Sequence, residues 1–140
     1  MSYKYLEHST DIFIEVTANT LEQAFIISAY AAIEAMINRT KIENKVRKII
    51  TVDAIDLEQL LYDWLEEVII LTITDCFAIH YIMIKIMKQN TSYKLQAMII
   101  GDKLDIQKHQ FKLEIKSPTF HLMEINVNNT KINMKFILDI

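Results

Sequence analysis

The residues best suited to chemistry are two aspartates that lie near opposite ends of the sequence. Asp11 closes a polar corner that begins at His8, and Asp139 is followed by Ile140. Two side-chain carboxylates and the terminal carboxylate of Ile140 form an oxygen-rich set, the ligand chemistry that Ca²⁺, Mg²⁺ and Mn²⁺ prefer. The sequence therefore offers a candidate metal site. On spacing alone, the alternative is that Asp11 only caps the corner.

Histidine and cysteine provide the remaining candidates for chemistry. His8 and His121 could each act as a base, a metal ligand or a group that orients a ligand, and the competing interpretation is a hydrogen-bonded structural residue. His80 falls inside a predicted strand and His109 in a basic loop. Cys76 is interpreted as a small, semi-buried apolar residue. Because no serine, cysteine or lysine has a recognisable nucleophile context, we predict no catalytic residue.

The composition excludes several classes of protein. One glycine cannot form a glycine-rich phosphate loop, and one cysteine excludes an internal disulfide and a multi-cysteine zinc site. A net charge of −3 argues against stable direct binding of nucleic acid, which depends on clustered lysine and arginine. No apolar stretch approaches the ~20 residues that span a bilayer, and the N-terminus does not resemble a signal peptide. We therefore expect a cytoplasmic protein with no membrane association.

The elements that must position the aspartates follow from hydrophobic periodicity. A capping box from Thr20 to Gln23 predicts a helix over 20–37, and Asp56 is predicted to cap a second helix whose apolar face runs from Leu57 to Val68. Alternation and β-branched residues predict strands at 3–7, 12–17, 46–54, 77–88, 92–100, 111–116, 119–127 and 131–138. The pattern predicts an α+β fold, two helices packed on a largely antiparallel β-sheet, in one domain over 1–140.

Five separated stretches carry a family resemblance. They are His8-Ser9-Thr10-Asp11-Ile12 with Thr20 to Phe25 after it, Asp56 to Leu65, Gly101-Asp102 with His109, Lys116 to His121, and Leu138-Asp139-Ile140. In this order and at these intervals they resemble the motifs of the archease family over the full length of the chain. Thr10 stands where the family motif has alanine, and Ser117-Pro118 replace a pair of small apolar residues.

The resemblance implies an archease-like fold and a role without catalysis. Archeases assist the RtcB-type RNA ligase of tRNA splicing by promoting its guanylylation and its multiple turnover. The family's metal site falls here on Asp11, Asp139 and Ile140, with Ca²⁺ as the expected cation and Mg²⁺ or Mn²⁺ as alternatives. The expected partner is the ligase and not RNA.

Two other functions stay open at the level of sequence. One is a chaperone-like interaction module without a metal, and the other is a metal-dependent hydrolase that uses Asp11, Asp139 and His8. The basic stretch from Lys103 to Lys116 and the acidic face of the second helix are possible docking surfaces, although solvated faces explain both. The sequence makes no prediction about self-association.

Overall fold

The computed structural model describes residues 1–7 and 10–140, so His8 and Ser9 lie outside the described residues. In chain order the elements are β1 (Ser2–Leu6), β2 (Asp11–Ala18), α1 (Leu21–Met36), a 3₁₀ turn (Arg39–Lys41), β3 (Val46–Ala54), α2 (Leu57–Ile73), β4 (Phe77–Gln89), β5 (Ser92–Lys103), β6 (Ser117–Val127) and β7 (Ile132–Asp139).

The strands form two antiparallel sheets, and both helices pack against them. The four-stranded sheet has the order β1-β2-β7-β6, and the three-stranded sheet has the order β3-β5-β4. The predicted α+β class with two helices on antiparallel strands is confirmed. The sequence did not predict the division into two sheets, because the alternation within a strand does not indicate which other strands will pair with that strand. The central pair β2–β7 joins the two ends of the chain.

Both helices begin where side-chain caps were predicted. Thr20 Oγ1 accepts a hydrogen bond of 3.2 Å from the Gln23 amide, and Asp56 Oδ1 accepts one of 2.8 Å from the Gln59 amide. The capping box at Thr20 is only half formed, because Gln23 Oε1 is buried without a partner among the described residues. Within residues 1–7 and 10–140, no helix is long and apolar enough to cross a membrane.

The helices meet around the single tryptophan of the chain. Trp64 on α2 is fully buried, and its indole Nε1 donates a 3.0 Å hydrogen bond to the main-chain oxygen of Phe25 on α1. That carbonyl belongs to the interior of α1, so it accepts the indole N–H in addition to its place in the helical hydrogen-bond ladder. The contact connects α2 to α1, and the buried core contains residues of both helices and both sheets.

One predicted strand is absent. The segment 111–116 is irregular, and its amides point to two different elements: Lys112 N donates to Met36 O at 2.7 Å and Lys116 N to Asp139 O at 2.8 Å. Donors that serve the end of α1 and the end of β7 cannot also form a ladder with one neighbouring strand. Residues 111–116 form a crossing segment between these two elements, and the alternation of apolar residues in it reflects the burial of its own Ile115.

The single glycine lies where two strands come unusually close. Gly101 on β5 faces the part of β4 where the register shifts between Ile79 and Tyr81. A Cβ atom at Gly101 would lie 1.9 Å from the main-chain oxygen of Ala78, so no larger residue fits without a shift of the backbone. The Gly101-Asp102 motif therefore has a packing explanation.

Candidate functional site

The two predicted carboxylates lie next to each other in the four-stranded sheet. β2 begins at Asp11 and β7 ends at Asp139, and the two residues are Cα partners across the antiparallel pair. Directly opposite residues project from the same face of a sheet, with Cβ atoms about 5 Å apart. Both residues are partly buried. The fold therefore places two acidic groups from the two ends of the chain side by side.

A third oxygen-bearing residue completes the row. Ser117 at the start of β6 is the Cα partner of Asp139 on its other side. Asp11, Asp139 and Ser117 therefore follow one another across three strands and form the carboxylate row. The sequence identified Ser117 only as a departure from the family motif. Its place in this row depends on the pairing of β6 with β7, which no periodicity in the sequence could reveal.

The row has the donor set of a hard-cation site. Like charges that face each other across strands oppose folding, and a cation between them would remove that repulsion. Carboxylate, hydroxyl and main-chain oxygens are the ligands that Ca²⁺ and Mg²⁺ prefer. Within residues 1–7 and 10–140, no three His, Cys, Asp or Glu side chains cluster as a metal site. A cation held by Asp11 and Asp139 therefore needs additional oxygens, and the main chain of Ile140, exposed and adjacent to Asp139, is the nearest source.

A depression of about 370 Å³ opens beside Asp11. Lys112 lies at its rim, where Nζ donates a 2.9 Å hydrogen bond to the main-chain oxygen of Glu34. The other residues that line it come from β1, β2, α1 and the crossing segment: Tyr5, Leu6, Ile12, Phe13, Ala35 and Leu113. Asp11 is thus the residue of the row that borders this depression.

A polar cluster, two of whose residues also line this depression, connects β1 to α1. The Tyr3 hydroxyl donates to Glu34 Oε2, and Arg39 Nη1 lies 3.1 Å from Glu34 Oε1. Burial, with a smaller contribution from the hydrogen bond to Glu34, raises the pKa of Tyr3, so this phenol stays a neutral donor. The Tyr5 hydroxyl donates to Ala31 O at 3.0 Å, and burial also raises the pKa of Tyr5. The strand that borders β2 is thereby fixed to α1.

Two of the histidines considered from sequence have structural roles. His80 Nδ1 is 2.6 Å from Asn44 Oδ1, away from the carboxylate row. His109 is 1% exposed, and its Nδ1 accepts a 3.0 Å hydrogen bond from the Asp105 amide, which stabilises the turn after β5. The sequence placed His109 in a basic loop, and its burial there is a packing effect that the neighbouring residues in the sequence do not indicate.

The other two histidines are the ones that the sequence places nearest the aspartates. His8 lies outside the described residues. His121 is exposed in an irregular part of β6, where the register with β7 shifts between Thr119 and Glu124 and Leu122 has a φ of 57°. In the described part of the chain, His121 has no hydrogen bond or ion pair with Asp139. It therefore faces solvent and not the row.

The interpretation of Cys76 as a semi-buried apolar residue is wrong. Cys76 is exposed, and its φ of 52° places it in the left-handed region at the turn between α2 and β4. The turn needs that conformation to reverse the chain after the helix, and the side chain is left facing solvent.

Two helices packed on two antiparallel sheets define an α+β protein, and Asp11 and Asp139 are paired at the end of its central strands. The sequence model of the archease protein family (MTH1598/TM1083) matches residues 3–140. The chain belongs to the archease family.

Curated relatives and solved structures agree with this assignment. The archease of Pyrobaculum islandicum is 36% identical over 141 residues, which cover 100% of this chain and 96% of the relative, and that of Pyrococcus abyssi is 37% identical over 88% of this chain and 87% of its own length. The solution structure of Methanobacterium thermoautotrophicum protein 1598 has a TM-score of 0.82, 27% identity and 99% coverage of both chains. The Thermotoga maritima archease, described as a possible chaperone, shares the fold with a TM-score of 0.59 at 21% identity and coverage of 98% and 96%.

Proposed function

We propose that this protein is a non-catalytic activator of an RtcB-type RNA ligase, and that it acts through a cation-bound carboxylate tip. The observation that carries the proposal is the direct cross-strand pairing of Asp11 with Asp139. Two carboxylates held at directly opposite positions of neighbouring strands form an oxygen-rich pair that suits a hard cation such as Ca²⁺, and this arrangement supports the proposal. Membership of the archease family supports the choice of partner.

In this proposal the chain's own residues hold and present the charge. Asp11 and Asp139 supply two carboxylates from rigid strands, and a main-chain oxygen of Ile140 supplies a further ligand. Ca²⁺, or alternatively Mg²⁺ or Mn²⁺, would supply the positive charge at this site if it were held by Asp11, Asp139 and Ile140. The tip then docks at the ligase, where it promotes guanylylation and repeated turnover of an enzyme that works on tRNA. The proposal places the protein in the cytoplasm with that ligase.

A multiple-turnover ligation assay tests the proposal. A substoichiometric amount of the protein is added to its cognate ligase, and wild type is compared with Asp11→Asn and Asp139→Asn. Asp75→Asn is the matched control, because Asp75 is exposed at the end of α2, far along the chain from the row. We expect both row variants to lose stimulation by at least roughly tenfold while the control retains it, since one lost charge-assisted ligand bond is worth that much. Full stimulation by both row variants would disprove the carboxylate tip.

The third ligand is tested separately. Two residues appended after Ile140 change the main-chain group next to Asp139 and leave both aspartates in place. Calorimetric titration with Ca²⁺ should then show weaker binding than wild type, and ligase stimulation should fall in parallel. Unchanged affinity would remove Ile140 from the site while leaving Asp11 and Asp139 in it. Parallel titrations with Mg²⁺ and Mn²⁺ identify the preferred cation.

A chaperone-like interaction module is the second candidate, because the related Thermotoga maritima protein is described as a possible chaperone. A module of that kind would not need the carboxylates, so it predicts full activity of Asp139→Asn in the ligation assay. A metal-dependent hydrolase is the third. It predicts cation-dependent phosphoester cleavage by the isolated protein that Asp139→Asn abolishes.

A further inference from the structure

The two edges of the three-stranded sheet are treated differently by the fold. On the β4 edge, Arg39 Nη2 donates to the main-chain oxygen of His80, and the Tyr30 hydroxyl accepts a 3.1 Å hydrogen bond from the Ile82 amide. The Arg39 guanidinium also stacks on the Tyr30 ring at 3.7 Å. Side chains from α1 and the 3₁₀ turn thus satisfy the main-chain groups that an edge strand leaves open.

The opposite edge, formed by β3, has no comparable cover. β3 pairs with β5 only, and within residues 1–7 and 10–140 no side chain forms a hydrogen bond with the main chain of 46–54. Val46 and Ile49 are 44% and 66% exposed. A nine-residue edge with free donors and acceptors and exposed apolar side chains is a template for another strand.

We propose that the β3 edge pairs with β3 of a second copy of this chain, antiparallel and with Ile50 on the two-fold axis. This register aligns the whole of Val46–Ala54 with itself. It places Arg47 of each copy opposite Asp53 of the other. In the described part of the chain neither residue has an ion-pair partner, and Arg47 has only a 3.9 Å contact from Nη1 to Met98 Sδ. Two copies would supply each other's missing counter-charge.

The distribution of charge along β3 is what selects a second copy as the occupant. A two-fold interface must be complementary to itself, because each patch contacts its own symmetry mate. One face of the strand has Arg47 near one end and Asp53 near the other, the centre at Ile49-Ile50 is apolar, and Lys48 lies on the opposite face. An antiparallel copy matches all three regions at once. The result is a continuous six-stranded sheet whose centre is the paired β3 strands.

A different dimer, packed through the outer face of the same sheet, is the main competitor. Ile49, Met83 and Met98 line a depression of about 440 Å³ on that face. Face packing would bury Met83, which lies on β4 at the opposite edge, whereas edge pairing leaves Met83 exposed. Charge changes at Arg47 and a polar change at Met83 therefore separate the two arrangements.

Sedimentation equilibrium over a wide concentration range tests the proposal on the full chain. Wild type should show a monomer–dimer equilibrium. Arg47→Asp places like charges opposite each other twice per dimer, so the dissociation constant should rise about tenfold or more, equivalent to about 1.4 kcal/mol. Asp53→Arg alone should have the same effect, and the Arg47→Asp, Asp53→Arg double variant should recover most of the wild-type association.

Two controls make the result specific. Lys131→Glu changes the net charge as much as Arg47→Asp at an exposed turn between β6 and β7, and it should leave the dissociation constant unchanged. Met83→Glu should also leave it unchanged. A wild-type protein that is monomeric at all concentrations overturns the proposal. So does a dimer that Met83→Glu disrupts while the Arg47 and Asp53 variants do not.

Hydrogen exchange provides a readout that does not depend on association constants. Amides of Val46–Ala54 that face away from β5 should become more protected as protein concentration rises, because they gain partners on the second copy. Amides of β4, whose edge is covered by Arg39 and Tyr30, should show no concentration dependence. Concentration-dependent protection in β4 but not in β3 would contradict the assigned edge.

Discussion

Replacing Asp139 by asparagine should stabilise the cation-free protein and abolish its stabilisation by Ca²⁺. The two effects have opposite signs and a common cause in the pairing of Asp139 with Asp11 across β2 and β7. Asparagine keeps the size of the side chain and one oxygen, so the substitution removes charge and leaves packing almost unchanged. The residue is also at a strand end, where an amide side chain adds little strain.

The magnitude follows from the spacing of the two carboxylates. Opposite Cβ atoms lie about 5 Å apart, which puts the carboxylates roughly 6 Å apart. Coulomb's law gives a repulsion of about 0.7 kcal/mol with the dielectric constant of water and about 2.8 kcal/mol with an effective value of about 20. Because both side chains are only partly buried, we expect a gain of about 0.5 to 1 kcal/mol in the cation-free protein. Wild type should gain about 2.7 kcal/mol from Ca²⁺ at about 100 times its dissociation constant.

Urea unfolding followed by circular dichroism measures both effects. Wild type and Asp139→Asn are compared in chelator and in excess Ca²⁺, with Asp75→Asn as the control for the loss of an exposed aspartate. The free energies should change order: the variant is more stable in chelator, and wild type is more stable in Ca²⁺. A variant that is less stable than wild type in chelator would refute the repulsion. An equal response of both proteins to Ca²⁺ would refute the site.

Three further predictions concern the scaffold. Gly101→Ala should lower the free energy of unfolding by at least about 2 kcal/mol, because the added Cβ meets a β4 carbonyl, and a denaturant midpoint equal to wild type would contradict that clash. Trp64→Phe should lower the free energy of unfolding by about 2–4 kcal/mol, because the side chain is smaller and the hydrogen bond to Phe25 is lost. Thermal unfolding measures the change, and a loss below about 1 kcal/mol would contradict the prediction. The hydrogen bond from Lys4 holds the pKa of Glu15 below its ordinary 4.5, so wild type should lose stability as the pH falls below 4.5 and through that lowered pKa. The free energy of unfolding of Glu15→Gln should change less with pH over the same range. Equal pH dependence of the two proteins would exclude this contribution.

Local signals in the sequence predicted the helices and most of the strands. The caps at Thr20 and Asp56 are short-range hydrogen bonds between residues three apart, so their residue types suffice to predict them. The alternation along β7 likewise predicts one buried face, which puts Asp139 on the other face. Residue types grouped Asp11 with Asp139 as candidate metal ligands and the family resemblance implied the same site, but neither predicted that the two residues pair across neighbouring strands. No periodicity indicates that the first and last parts of the chain form the central strands of one sheet.

The errors have a common physical origin in contacts between distant parts of the chain. The segment 111–116 has an alternating pattern, but its amides bond to α1 and β7 instead of a neighbouring strand. Ser117 lies in the carboxylate row only because β6 pairs with β7. Each outcome depends on tertiary partners that neighbouring residues in the sequence do not specify.

The burial of Trp64 gives the molecule an internal spectroscopic probe. It is the chain's single tryptophan, and its ring is enclosed between the helices with its N–H bonded to Phe25. The indole emission therefore reports the separation of α1 from α2 and is insulated from solvent in the native state. A cation bound at the strand ends should leave the emission maximum in place, and opening of the core should shift it to longer wavelength. One fluorescence titration can thus distinguish ligand binding from loosening of the fold without any label.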